Sequence, residues 1–399
     1  MRKFTNFTFC MYTDVLFGKD TEKQVGTKIR QHGGTKVMLV YGGGSIKKSG
    51  LYDTVVESLN KEGIPFVELS GVQPNPRRSL AIKGLEIAKR EGIDFMLGVG
   101  GASSIDTAKA IALGMVYDGD FWDFYSGKAI PQKMAKVGTI HTISAAGSET
   151  SGSTVILDDI DSHLKKGMMY PYVVRPIFAI MNPELTYSVS AYQTAAGGAD
   201  IFSHTMEPFF VDSSCYLGDQ FAAGLMRSVV KYTPIALTQP DNYEARAELM
   251  LAGSFSHNDV TRIGRSGQTW PAHRMEAYLA ATYDTVHGAG LALLMPAWLQ
   301  FIVENGSDDN VARVAQFATM VFDVQPDMQD IKAVAYEGIR RFRAWIKSIG
   351  MPLSLADMNI PASDLPQLVK NCPSNAQGIL EAYINLDKKA VENIFRSLM

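Results

Sequence analysis

Four residues in the second half of this 399-residue chain have the types and spacing to hold a metal ion. Asp200 and His204 stand four positions apart in Gly197-Gly198-Ala199-Asp200-Ile201-Phe202-Ser203-His204, and on a helix such positions share one face. His273 and His287 follow, with thirteen residues between them and Gly288-Ala289-Gly290 directly after the second. A glycine beside a ligand lets backbone pass close to the site. One carboxylate and three imidazoles make a donor set suited to Fe2+ or Zn2+. Four protein ligands can close a structural site, so a catalytic ion here requires coordination to expand when substrate arrives. Spacing alone favours a plainer reading, because an Asp-x-x-x-His pair is more often a surface pair than a ligand pair and scattered histidines are more often packed or solvated. His32, His141, His163 and His257 are read in that ordinary way.

The first half carries a different signal. Gly42-Gly43-Gly44-Ser45 follows the apolar run Lys36–Tyr41, and Gly98-Val99-Gly100-Gly101-Ala102-Ser103-Ser104 precedes the helical pattern Ile105–Leu113. Glycine lets backbone approach a phosphate, and a helix N-terminus adds aligned N–H donors and partial positive charge. A pyrophosphate suits the second turn, with the Ser103 and Ser104 hydroxyls as further donors. The turn is not a strict GxGxxG, since Ser103 takes the third glycine position, and a tight strand-to-helix turn without ligand explains it equally well. Two such turns in one half favour the ligand, because open parallel sheets bind at the carboxyl ends of their strands.

These residues need a frame. Lys36–Tyr41, Pro65–Leu69, Phe95–Val99, Val137–Thr142 and Ile177–Met181 read as buried strands, with helical stretches such as Tyr52–Glu62 and Arg78–Glu91 between them. That alternation predicts an α/β domain, a parallel sheet flanked by helices, over residues 1–185. From Ser190 onward apolar residues recur at three- and four-residue spacing, and Ser190–Gln193 has the form of a capping box. Phe221–Leu237, Asn242–His257, Val311–Phe322 and Asp330–Ser348 read as amphipathic helices, predicting an all-α domain over 186–399 with a boundary near Asn182–Thr186.

Composition narrows the partners. The chain is 46% hydrophobic and 20% charged with net charge −3 and no basic run, which argues against nucleic acid or an anionic membrane as partner. Cys10, Cys215 and Cys372 are odd in number and form no CxxC pair, so no disulfide framework is expected. The N-terminal stretch lacks the smooth apolar core of a signal peptide, and runs such as Ala289–Leu299 are too short to span a bilayer. A cytoplasmic protein is expected.

Taken together, the chain resembles the iron-containing (group III) alcohol dehydrogenase family, in particular its butanol dehydrogenase-like, aldehyde-reducing branch. The likeness runs through Tyr41–Gly50, Pro74-Asn75-Pro76, Gly98–Lys109, Ser144–Glu149, Asn182–Thr186, Gly197–Glu207 and His287–Pro296. It implies a dinucleotide-binding α/β domain followed by a helical metal domain, with the active site in the cleft between. It also implies metal ligands at Asp200, His204, His273 and His287. Gly100, Gly101, Ser103 and Asp106 match the pyrophosphate loop; Gly42, Gly43, Gly44, Ser45 and Asn75 fall in other cofactor-binding motifs. Thr142 and Ser144 lie in the segment that lines the nicotinamide. A small alcohol or aldehyde is the implied substrate, and a homodimer the implied assembly.

Relatives that prefer NAD often carry an acidic residue where this chain has Gly42, and Lys47 and Lys48 lie close by. The missing carboxylate and the added cations favour NADP(H) over NAD(H). Relatives also commonly have a histidine four residues after the third ligand, where this chain has Ala277. The implied chemistry is Lewis-acid polarisation of the substrate oxygen, with hydride passing to or from the nicotinamide and the proton moving through water or a ribose hydroxyl. Two other readings share the architecture: a dehydroquinate synthase-like sugar-phosphate cyclase, for which Arg262, Arg265 and Arg274 supply basic groups, and a glycerol dehydrogenase-like polyol oxidation.

Overall fold

The computed structural model describes residues 4–213 and 215–399. The chain forms two compact units: residues 10–189 with 253–258, and the described residues of 4–9, 190–252 and 259–399.

The first unit is built on a six-stranded sheet. Its strands are β1 (Asp14–Phe17), β2 (Val37–Tyr41), β3 (Phe66–Leu69), β4 (Phe95–Gly100), β5 (Lys136–His141) and β8 (Phe178–Met181), while β6 (Ser153–Leu157) and β7 (Lys165–Met169) form a separate antiparallel pair. The sheet order is β1-β8-β5-β4-β2-β3, and every pairing in it is parallel. Helices on both faces explain why β2 and β4 are apolar without alternation: every residue of each is buried. Parallel pairing also sets all the carboxyl ends along one edge. The turns after β5, β4, β2 and β3 therefore stand side by side.

Three strands were not predicted from the sequence. β1 is an edge strand with half of its residues exposed. β6 alternates with period two but follows a run of serines and glycines that reads as a loop. β7 contains Lys165-Lys166-Gly167, residues of low strand propensity.

The second unit is helical. Its core gathers Phe202, Phe317, Phe342 and Trp345, with the rings of Phe202 and Phe342 stacked at 4.6 Å. Helix Ala191–Met206 opens as predicted at Ser190, whose hydroxyl accepts from the Gln193 backbone N–H at 3.3 Å. Helix His287–Asn305 lies against it so closely that a Cβ at Gly288 would come 1.9 Å from the Ala196 carbonyl oxygen. Only glycine permits that approach, and the approach brings the start of one helix beside the middle of the other. Among the described residues no helix is long and apolar enough to cross a membrane.

Candidate functional site

The four residues proposed as ligands lie together in the helical unit. Asp200 and His204 project from one face of helix Ala191–Met206, His273 sits in the first turn of helix Pro271–Tyr283, and His287 begins helix His287–Asn305. Donor atoms of Asp200, His204 and His273 all lie within 4.8 Å of one another. The Nε2 atoms of His204 and His273 are 3.1 Å apart, and Nε2 of His287 is 3.7 Å from Oδ1 of Asp200. Bonds of about 2.1 Å at tetrahedral angles would leave donors about 3.4 Å apart. The separations of 3.1 and 3.7 Å lie on either side of that value, and the three-residue group of Asp200, His204 and His273 could hold one ion, with His287 beside it. Asp200 and His204 are buried, while the side chains of His273 and His287 retain 17% and 28% exposure, so the site is reachable from one side.

Two carboxylates that sequence reasoning passed over complete the centre. Glu207 accepts a hydrogen bond from Nδ1 of His273, and Glu276 accepts one from Nδ1 of His287. Both glutamates are fully buried. Glu207 is further held by the Ala272 backbone N–H at 2.7 Å. Burial raises this carboxyl's pKa, and the Ala272 and His273 backbone N–H groups, with His287 and Arg274, pull it back towards the ionised form. A buried carboxylate of this kind favours positive charge nearby, which an ion held by the adjacent histidines would provide. The signal was present in the sequence, since Glu207 and Glu276 each stand three residues after a ligand histidine. Each, however, serves a histidine on another helix rather than the one three residues before it, a pairing that spacing does not reveal. Trp270 meets His204 and His273 edge-on, with ring centres 6.0 and 5.1 Å away.

The cofactor candidates of the α/β unit gather on the carboxyl edge of its sheet. Gly42–Ser45 follows β2, Asn75 lies beyond β3, Gly100, Gly101 and Ser103 follow β4, and Thr142 and Ser144 follow β5. The Thr142 backbone N–H donates to the Gly100 carbonyl at 3.1 Å, tying two of these turns together. Gly44 and Gly100 have φ of 113° and 143°, a region that favours glycine. Gly43 is exposed, and a Cβ there would meet nothing within 4 Å, which leaves open backbone for a ligand. Gly101 caps helix Ala102–Met115, whose first N–H groups have no partner within the helix and suit a phosphate.

Asp106 takes a different position. It is buried and accepts from the Ser148 hydroxyl at 2.6 Å and the Val155 backbone N–H at 2.9 Å. One turn on, the Lys109 ammonium donates to the carbonyls of Ser148, Ser151 and Ser153 at 2.7, 3.0 and 2.8 Å. The two side chains clamp segment 148–155 onto helix Ala102–Met115. The lysines beside the first turn are also engaged: the Lys47 ammonium lies 3.2 Å from the Glu68 carboxylate and 4.4 Å from the centre of the Tyr52 ring.

Comparison with known proteins agrees with both halves. Residues 13–183 match the family model for iron-containing alcohol dehydrogenase, and residues 194–399 match the C-terminal model of the same family. This chain belongs to the iron-containing alcohol dehydrogenase family. It is 36% identical to NADH-dependent butanol dehydrogenase A of Clostridium acetobutylicum over 392 residues, 98% of this chain and 99% of the relative. It is 30% identical to the NADPH-dependent aldehyde reductase YqhD of Escherichia coli over 372 residues, 92% of each. The crystal structure of NADH-dependent butanol dehydrogenase A from Thermotoga maritima superposes with a TM-score of 0.93 at 36% identity, covering 100% of both chains. The dehydrogenase is thus an oxidoreductase. The cyclase alternative is not favoured: the Arg265 guanidinium is buried against Asp219, and Arg262 pairs with Asp259 at 3.0 Å and lies over Trp270.

Proposed function

We propose that this dehydrogenase interconverts small primary alcohols and aldehydes, using one divalent ion, Fe2+ or Zn2+, held by Asp200, His204, His273 and His287. The observation that carries the reading is the convergence of that donor set at single-ion spacing, with two histidines backed by buried carboxylates. When bound, the ion supplies a Lewis acid for the substrate oxygen and the nicotinamide supplies or accepts hydride. Glu207 and Glu276 hold the His273 and His287 rings. Trp270 walls the exposed side of the site and limits substrate bulk. Gly42, Gly43, Gly44 and Ser45, with Asn75, receive the adenosine end of the dinucleotide. Gly100, Gly101 and Ser103 receive its pyrophosphate, and Thr142 and Ser144 its nicotinamide end; Asp106 braces this surface from beneath.

The NADP(H) preference expected from Gly42, Lys47 and Lys48 is tempered by Glu68, which partly neutralises Lys47, so we propose use of either coenzyme with NADP(H) favoured over NAD(H). The butanol dehydrogenase relatives, named as NADH-dependent, and the aldehyde reductase, named as NADPH-dependent, support a family that uses both. A cytoplasmic homodimer completes the proposal, with mass by light scattering as the check on assembly. The central experiment follows absorbance at 340 nm with butanal and each reduced coenzyme, before and after chelation and after return of Fe2+ or Zn2+. Turnover should vanish with the ion and return with it. Full turnover in metal-free protein would overturn the proposal.

A further inference from the structure

Helix Pro271–Tyr283 carries both a ligand, His273, and a carboxylate, Glu276, that acts on a different ligand. Glu207, directly after helix Ala191–Met206, reaches His273; Glu276 reaches His287 at the start of the next helix. In both cases the carboxylate takes Nδ1–H, which leaves the Nε2 lone pair facing the other donors. An imidazole presents one lone pair when neutral, and the hydrogen bond on one nitrogen decides which atom offers it.

The glycine-rich run after His287 has a role in this arrangement. A Cβ at Gly290 would lie 2.7 Å from Cγ of Glu276 and 3.4 Å from its Oε1. Gly290 is one turn into its helix, where any larger residue would push the carboxylate away from His287. The sequence His287-Gly288-Ala289-Gly290 therefore contains a ligand, a close helix contact and the space for the ligand's own support.

On the metal reading proposed above, we infer that Glu207 and Glu276 are positioning residues that fix His273 and His287 as Nε2 ligands, and that Gly290 is required for the second of these contacts. Removal of such a partner typically weakens metal binding about tenfold to hundredfold. The contribution should be separable from folding, because Glu→Gln keeps the shape of each side chain while removing its charge.

The test uses the full chain stripped of metal and titrated with Co2+ alone, by equilibrium dialysis and by the visible spectrum of the bound ion. Melting temperature and NADH binding by fluorescence serve as controls. E207Q and E276Q should bind Co2+ about tenfold to hundredfold more weakly and shift its spectrum, while NADH binding stays within twofold of the parent. G290A should weaken Co2+ binding in the parent and add no further loss in an E276A background, where the obstructed Cγ is gone. Parent-like affinity and spectrum in E207Q and E276Q, alongside lost binding in H287A, would overturn the positioning role. Undiminished Co2+ binding in H287A and H273A would instead overturn the metal site itself.

Discussion

Lys47 and Glu68 form an ion pair 3.2 Å long beside the first glycine turn, with the hydroxyls of Tyr41 and Tyr52 also donating to the carboxylate. Contacts with Tyr41 and Glu68 hold the ammonium's pKa above its ordinary value. Its charge is thus secure but shared, and a 2′-phosphate arriving at the turn would compete with Glu68 for it. Glu68→Gln should raise the NADPH-to-NADH ratio of kcat/KM by about twofold to fivefold, the scale of one exposed ion pair. Lys47→Ala should lower the ratio by a similar factor. Identical ratios in parent and both variants would show that this lysine takes no part in coenzyme choice.

How far the sequence revealed this site depended on how local each feature is. Asp200 and His204 share a helix face, so spacing suggested the pair; His273 and His287 became ligands only through likeness to a family, because two separate helices must converge to join them. Glu207 and Glu276 were missed since their partners lie across helix boundaries. In the sheet, β2 and β4 were legible because burial on both faces leaves an unbroken apolar run, whereas the half-exposed edge strand β1 and the lysine-bearing β7 lack any such run. Asp106 matched a cofactor motif by sequence, yet its carboxylate is spent on Ser148 and Val155, contacts that depend on how a distant segment folds back.

The same folding back makes Lys109 a structural requirement. Burial pushes its ammonium down to about 8, so it keeps its proton at neutral pH and supplies three donors to the Ser148, Ser151 and Ser153 carbonyls. Lys109→Met would leave buried acceptors unpaired at a cost of about 3 kcal/mol. Urea denaturation should show the loss, and NADH binding should weaken because segment 148–155 loses its anchor on helix Ala102–Met115, the helix proposed to receive the pyrophosphate. Unchanged stability would mean that water or a shifted backbone satisfies those oxygens.

Acid should act first on a different cluster. Asp158 is buried, which pushes its carboxyl up, but hydrogen bonds from Ser162, Arg78 and the Asp161 backbone outweigh burial and hold it well below the usual range. The unfolded chain therefore takes up a proton at this position near pH 4 while the folded chain resists it. Stability from Asp158 is fully present above that value and is lost as pH falls through the lower folded value. Asp158→Asn should be less stable at pH 7, and its urea midpoint should converge on that of the parent as the pH drops from 5 towards 2. Parallel profiles over this interval would remove Asp158 as the source of acid sensitivity.

Ala277 lies four residues after His273 in helix Pro271–Tyr283, so its Cβ is on the ligand-bearing face one turn further on. On the proposed function, the proton in this chain moves through water or a ribose hydroxyl, since position 277 carries no imidazole. Ala277→His restores such a group, with an ordinary pKa of about 6.5. The variant's kcat/KM for aldehyde reduction should gain an inflection between about pH 6 and 7 that the parent lacks. Its Co2+ affinity should stay within about twofold of the parent, since the position is not a ligand; ordinary scatter in single-site effects is of that size. Coincident pH profiles would show that helix Pro271–Tyr283 does not bring position 277 to the proton's path.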